Sequence, residues 1–299
     1  MSEKTSCGFI SVLGLPNAGK STLINALVGA KVSIVSSKVQ TTRSRVLGIV
    51  IQGPAQIILI DTPGIFEPKK TLEKAMVTAA WDSVPDADVI YHLVDASDKR
   101  AVQKNTLITD RLQGEKNCVL VLNKTDAVAK PDLLRLAQTL NEKVSYLATF
   151  MVSALKGDGL QDLLKDAASR LPEGPWMYPE DQITDMPMRM LAAEITREKL
   201  FKALYQELPY ALMVETESWE EFDDGSVKIS QVIIVQKESQ KAIVVGKGGA
   251  NIKKVGQEAR LELEEIMERR VHLKLFAKVI ENWAESAESY RAMGLDLPK

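Results

Sequence analysis

Residues 14–21, Gly14-Leu15-Pro16-Asn17-Ala18-Gly19-Lys20-Ser21, carry the spacing G-x-x-x-x-G-K-[ST]. In a loop of this pattern, backbone N–H groups surround the α- and β-phosphates of a nucleotide. The lysine reaches the β- and γ-phosphates, and the terminal hydroxyl goes to Mg²⁺. Gly14, Asn17, Ala18, Gly19, Lys20, Ser21 and Thr22 are therefore the candidate phosphate-binding residues. Asn123-Lys124-Thr125-Asp126 supplies base selection. The Asp126 carboxylate accepts from guanine N1–H and from the exocyclic amine, whereas adenine offers it a bare ring nitrogen and no amine. Polar recognition of this kind rejects the wrong base by roughly 10⁴–10⁵. GTP and GDP, not ATP, are the expected nucleotides.

Three further segments complete such a site. Asp61-Thr62-Pro63-Gly64 closes the apolar run 57–60; the acid can hold Mg²⁺, and the Gly64 amide can sense the γ-phosphate. The polar segment 36–45 offers a threonine to the metal when the γ-phosphate is present, with Thr42 the first choice and Thr41 the alternative. Ser153-Ala154 follows the next apolar run, where the Ala154 amide is expected to meet guanine O6. The metal set is thus Ser21, Thr42 and Asp61, and the catalytic set Lys20, Thr42 and Gly64. Ras-like proteins place a glutamine directly after the Asp-x-x-Gly turn; here Ile65 stands in its place. Hydrolysis without help should be slow, on the order of 10⁻⁴–10⁻² s⁻¹.

A second loop lies far along the chain. Gly246-Lys247-Gly248-Gly249 fits G-x-x-G and leads into a helical pattern, as in KH domains, where such a loop clamps about four nucleotides of single strand. Lys241, Lys247, Lys253 and Lys254 surround it, with Ile252 and Val255 after it. Lys241, Gly246, Lys247, Gly248, Gly249, Lys253 and Lys254 are the candidate RNA-binding residues. Charge argues the other way: from Glu180 onward, 17 Lys and Arg stand against 22 Asp and Glu, a net of −5. An acidic body disfavours indiscriminate RNA binding and leaves room for a local basic groove. The rival reading, in which the loop is a plain turn and the domain contacts a protein or membrane partner, stays open.

The elements that must position these residues follow from hydrophobic periodicity. Apolar runs at 9–13, 57–60, 89–94, 118–122 and 147–152 alternate with helical patterns at 21–29, 71–83, 101–113, 131–140 and 160–170. Runs apolar on both faces suit a parallel sheet covered by helices, and the alternation predicts a doubly wound α/β domain. Ligands bind beyond the carboxyl ends of such strands, where every motif above falls. Residues 1–172 are read as this domain and 173–187, rich in proline, as a linker. Residues 188–299 form an α+β domain: helix 188–207, a hairpin of 211–217 and 227–236, the glycine loop, helix 250–269 and strand 271–279. With 299 residues, 45% hydrophobic and a net charge of −2, the composition is that of an ordinary globular protein. Neither a signal-peptide pattern nor an apolar run of membrane-spanning length is seen, so a cytoplasmic location is expected. Cys118, His92, His272 and the tryptophans 176, 219 and 283 are read as packing residues.

A GTPase domain followed by a type II KH domain resembles the Era family of bacterial ribosome-assembly GTPases. The likeness spans essentially the whole chain. It rests on Gln40-Thr41-Thr42-Arg43, Asp61-Thr62-Pro63-Gly64, Glu207-Leu208-Pro209-Tyr210, Gly246-Lys247-Gly248-Gly249 and Val271-His272-Leu273-Lys274-Leu275. A hydrophobic residue after Asp-Thr-Pro-Gly belongs to that family's pattern, so Ile65 fits it. The resemblance implies slow GTP hydrolysis with Mg²⁺, binding to the 3′ end of 16S rRNA in the 30S subunit, and a part in small-subunit maturation. It also implies peripheral contact with the cytoplasmic face of the inner membrane, which no residue pattern here shows independently. A monomer is expected.

Overall fold

A computed structural model describes residues 4–36, 38, 41–204 and 208–296. Gln40 and Glu207, which carry part of the resemblance, lie outside the described residues. Two compact units divide between Asp185 and Met186.

The first unit is built on a six-stranded sheet. Its elements are β1 (Ser6–Gly14), α1 (Lys20–Val28), β2 (Val46–Gln52), β3 (Ala55–Asp61), α2 (Thr71–Trp81) and β4 (Val89–Asp95). There follow α3 (Ala101–Lys104), α4 (Thr106–Leu112), β5 (Cys118–Asn123), α5 (Lys130–Asn141), β6 (Thr149–Met151) and α6 (Leu160–Arg170). The strand order is β2-β3-β1-β4-β5-β6, with only β2 antiparallel to its neighbour. β3 and β5 are buried along their whole length, as strands covered on both faces must be. The doubly wound, mostly parallel domain expected from the sequence is what forms.

Two local features differ from the expected pattern. β2 was not singled out: its run Val46-Leu47-Gly48-Ile49-Val50-Ile51 follows a polar loop and pairs back on β3 through the tight turn at Gly53 (φ 57°). The pattern at 101–113 is two helices, because Asn105 leaves helical geometry (φ −81°, ψ 0°). Its Oδ1 faces His92 Nε2 at 3.0 Å, and its Nδ2 donates to the Ala101 carbonyl.

The proline-rich segment is hydrogen-bonded along the first unit. Buried Gln56 of β3 takes the N–H groups of Met177 and Tyr178 on Oε1 (2.8 and 3.0 Å), and its Nε2 donates to Tyr178 O (2.8 Å). The Ile49 N–H of β2 donates to Ile183 O at 2.9 Å.

The second unit contains α7 (Met188–Ala203), β7 (Leu212–Glu221), β8 (Val227–Val235), α8 (Glu238–Val245), α9 (Ala250–Met267), β9 (Val271–Val279) and α10 (Ala287–Ala292). β7 and β8 form the antiparallel hairpin, and β9 joins β8 in parallel as an edge strand. The apolar sides of α7 and α9 cover one sheet face through Leu191, Ile195, Leu200, Val255, Ala259 and Leu263. The residues Ile243-Val244-Val245 before the glycine loop belong to α8, a helix that the sequence had left without an element.

Candidate functional site

The phosphate loop runs from the end of β1 into α1, so the free N–H groups of the first helical turn face the place where phosphate must sit. Gly19 has φ 98°, and a Cβ there would come within 2.3 Å of Asn123 Nδ2. Lys20 is buried, and its ammonium donates to the Gly14 and Leu15 carbonyls at 3.1 and 3.0 Å. Burial lowers its pKa to about 8, against the opposing pull of Asp61. The lysine expected at the β- and γ-phosphates is thus coiled back on its own loop, within reach of an incoming anion.

Ser21, Thr42 and Asp61, three sequence segments apart, converge. Asp61 Oδ2 accepts from Ser21 Oγ (2.7 Å) and Thr42 Oγ1 (3.3 Å), and the two hydroxyls are 3.0 Å apart. Thr41, the alternative, donates to the Lys38 carbonyl. Asp61 Oδ1 is buried with no hydrogen-bond partner. Burial raises the Asp61 pKa, while Ser33, Ser21, Lys20 and Thr42 pull it down. An orphaned carboxylate oxygen beside two hydroxyls is an all-oxygen donor set of the kind a hard dication takes. Among the described residues no group of three or more His, Cys, Asp or Glu is gathered for a metal. Two hydroxyls and one carboxylate suit Mg²⁺, which keeps waters and substrate phosphates in its shell.

The sequence reading missed Ser33. Its hydroxyl donates to Asp61 Oδ2 at 2.6 Å. Asn25 of α1 fixes it: Asn25 Oδ1 accepts from Val32 N and Ser33 N, each at 3.0 Å, and Asn25 Nδ2 donates to Ser33 O at 2.7 Å. Nothing in the sequence distinguished this serine from its polar neighbours.

Gly64 packs against the phosphate loop: a Cβ there would lie 2.8 Å from Pro16 N, and the next N–H, of Ile65, donates to Gly14 O at 3.0 Å. The Ile65 side chain is fully buried in the core with Leu13 and Trp81. Ile65 faces the core, so it places no group beside the phosphate loop.

The residues expected at the base assemble around Asn123. Its Nδ2 donates to Ala18 O (2.9 Å) and its Oδ1 accepts from Ala154 N (3.0 Å), tying the phosphate loop to the 153–154 loop. Lys124, in left-handed conformation, donates to Asn17 O (2.8 Å) and pairs with Asp95 (2.6 Å), a partner the sequence did not suggest. Asp126 Oδ1 accepts from Ser153 Oγ at 2.7 Å, which aims the carboxylate. The Ala154 N–H, expected at guanine O6, is here taken by Asn123. Thr22 lines the phosphate pocket with Asn17 and Ser21.

In the second unit a groove of about 480 Å³ lies between α9 and β9. Gly248, Gly249 and Lys253 form its rim, Leu273 and Leu275 its apolar floor, and Gln257 and Arg260 (also missed) its far wall. Lys241 and Lys254 stand off the groove, near Glu238 and Glu258 at 3.8 and 3.9 Å.

These features define a P-loop GTPase unit followed by a KH unit. A family model described as 50S ribosome-binding GTPase matches residues 9–124, and a KH domain model matches residues 207–284. GTPase Era of Brucella suis biovar 1 is 57% identical over 295 residues, covering 99% of this chain and 95% of its own. The Afipia carboxidovorans protein of the same name is 54% identical over 296 residues, covering 99% and 96%. The chain belongs to the GTPase Era family. Two solved Era structures superpose with TM-scores of 0.89 at 40% identity, each covering 97% of this chain and 99% of the other. One is a point variant of Aquifex aeolicus Era bound to GDP·AlF4⁻; the other is Era with MgGDPNP and nucleotides 1506–1542 of 16S ribosomal RNA.

Proposed function

We propose that this GTPase holds GTP and Mg²⁺ between the phosphate loop, Thr42 and Asp61, and that the GTP-bound form grips the 3′ end of 16S rRNA in the α9–β9 groove. The observation that carries the nucleotide half is the convergence of Ser21, Thr42 and Asp61, with Asp61 Oδ1 buried and unsatisfied. Ser21, Thr42 and Asp61 would hold Mg²⁺, which would supply positive charge against the negative charge of the phosphates. Lys20, mostly cationic at pH 7, moves from the Gly14 and Leu15 carbonyls to the phosphates. The Gly64 amide takes the γ-phosphate, while Asn123, Lys124 and Asp126 hold guanine. Since Ile65 is committed to the core, water attacks the γ-phosphorus with no glutamine to orient it, and turnover without an activator is slow.

The RNA half rests on the groove: an apolar floor for bases, the glycine rim for backbone, and Lys247 and Lys253 for phosphate. With it we propose a part in small-subunit maturation, in the cytoplasm, for a monomer with peripheral contact at the inner membrane. Among the described residues no helix is long and apolar enough to cross a bilayer.

The test is the affinity of a labelled single strand from the 16S 3′ end, with a non-hydrolysable GTP analogue and with GDP. Wild type should bind tightly only with the GTP analogue, and Lys247→Asp/Gly248→Asp should lose that binding. By reciprocity, RNA then tightens GTP. Equal affinity in all nucleotide states would defeat the switch; binding indifferent to the double variant would defeat the groove.

A further inference from the structure

β9 has two faces, and only one belongs to the groove. Leu273 and Leu275 point toward α9, while His272, Lys274, Phe276 and Lys278 alternate on the opposite, solvent-exposed face. Of the chain's six phenylalanines, Phe276 is the most exposed, at 54%. It stands between two lysines on one face, spaced about 7 Å from each by the pleat.

The cations of this unit divide between those held by acids and those left for solvent. Several of its cations are tied to acids, among them Lys199 to Glu262, Lys202 to Glu198, Lys228 to Glu220, Arg260 to Glu264 and Arg269 to Glu221. Those without an ion-pair partner among the described residues include Lys247 and Lys253 beside the glycine loop, and Lys274 and Lys278 on this face. Acids on the sheet lie on β7 and in its turn; Glu220 faces Lys228 across the sheet, and Asp223 and Asp224 flank the His272 end. The end carrying Lys274, Phe276 and Lys278 is opposed by Ser230 and by the buried Val232 and Ile234 of β8, with one exposed acid, Glu215 of β7, a strand further on in the row of Phe276. Lysines alone would be the ordinary guard of an edge strand against pairing with another chain. A half-exposed aromatic ring set between them does not serve that purpose.

We infer that the outer face of β9 is a second contact for single-stranded RNA, receiving the strand after it leaves the groove and passes over the free edge of β9. Lys274 and Lys278 take phosphates, and the Phe276 ring stacks on an unpaired base, the combination by which single strands are held without sequence readout. The inference rests on the groove binding RNA, and it makes β9 a strand read on both sides.

The test uses the full chain with a non-hydrolysable GTP analogue and two oligonucleotides from the 16S 3′ end. One has about four nucleotides, the length a KH loop clamps; the other is extended by about six. Lys274→Glu/Lys278→Glu should leave the short probe's affinity unchanged and weaken the long one at least about tenfold. The salt dependence of the long probe should also flatten, by roughly 1.4 in log–log slope for two phosphates. Phe276→Ala should cost the long probe about five- to a hundredfold with the slope unchanged. Both variants keep the apolar floor, and an unchanged melting temperature verifies their folding. Equal loss for both probes, or no loss for either, overturns the second contact while the groove stands. If wild type binds neither probe, the RNA reading falls with it. Should the double variant instead lose only binding to phosphatidylglycerol vesicles, the second RNA contact is overturned and the face serves an anionic membrane.

Discussion

The chain carries two glycine loops that we propose meet phosphate, and glycine is called for at each for a different reason. At Gly19 the constraint is internal: left-handed backbone plus an Asn123 amide 2.3 Å from where a Cβ would stand. At Gly248 the backbone is also left-handed (φ 61°), but no atom lies within 4 Å of an added Cβ. The first loop is shaped by the protein around it. The second stands open, and its bareness has a use only when a backbone arrives from outside.

The sharpest way to break this contrast is to add one methyl to each. Gly19→Ala meets both the left-handed penalty and the overlap, so it should destabilise the first unit by about 3 kcal/mol. GTP affinity should fall at least about a hundredfold with it. Gly248→Ala meets only the conformational cost, about 1 kcal/mol, and should leave GTP binding unchanged while weakening RNA. Thermal melts and nucleotide titrations decide it; equal destabilisation by the two alanines would erase the distinction.

A smaller or comparable effect is expected from acid, confined to the internally constrained unit. His92 is fully buried in β4, its Nδ1 2.6 Å from Tyr146 OH and its Nε2 3.0 Å from Asn105 Oδ1. The neutral Nε2–H form satisfies both partners, and burial pushes the pKa down to about 4. The unfolded chain protonates this histidine near 6.5, so it binds more protons than the native state between 6.5 and 4. Stability from this group is whole above pH 6.5 and declines by up to about 3 kcal/mol as pH falls to 4. Denaturant midpoints at pH 7 and 4.5 should show that slope, and His92→Gln should remove it. A slope that survives the substitution would assign it elsewhere.

The smallest effect sharpens the metal side. Ser33→Ala leaves Ser21, Thr42 and Asp61 in place and removes only a bond that orients the carboxylate. Half-saturation by Mg²⁺, read from the dissociation rate of a fluorescent GDP, should need about tenfold more metal, with no change in melting temperature beyond a degree or two. Unaltered Mg²⁺ dependence would make Ser33 a packing residue.

What the sequence revealed and what it hid divide along similar lines. The phosphate loop, Asp61 and Asn123 were legible because their chemistry demands fixed residue types at fixed spacing beside apolar strands. Thr42 could be narrowed to a pair and no further, since both neighbours carry the same hydroxyl and only the folded loop separates them. Ser33 and Asn25 left no trace, because the serine acquires its role through contact with Asp61, 28 residues away, and the asparagine only by holding that serine. β2 hid for a related reason: an edge strand that pairs antiparallel breaks the alternation that announced its neighbours. The split between α3 and α4 was invisible until His92 was seen to claim Asn105. Ile65 was legible as a departure from Ras-like proteins, yet only burial explains it.

The strap across Gln56 decides where this chain can be cut. Residues 173–185 look dispensable as a proline-rich tether, but they occupy the N–H of Ile49 and the amide of a fully buried glutamine. A fragment ending at Pro172 would leave an open β-edge and a stranded polar side chain, a template for self-association. A fragment ending at Asp185 keeps both covered. The folding unit therefore extends past the last helix of its own sheet, and the usable joint between the two halves is far shorter than the proline content suggests.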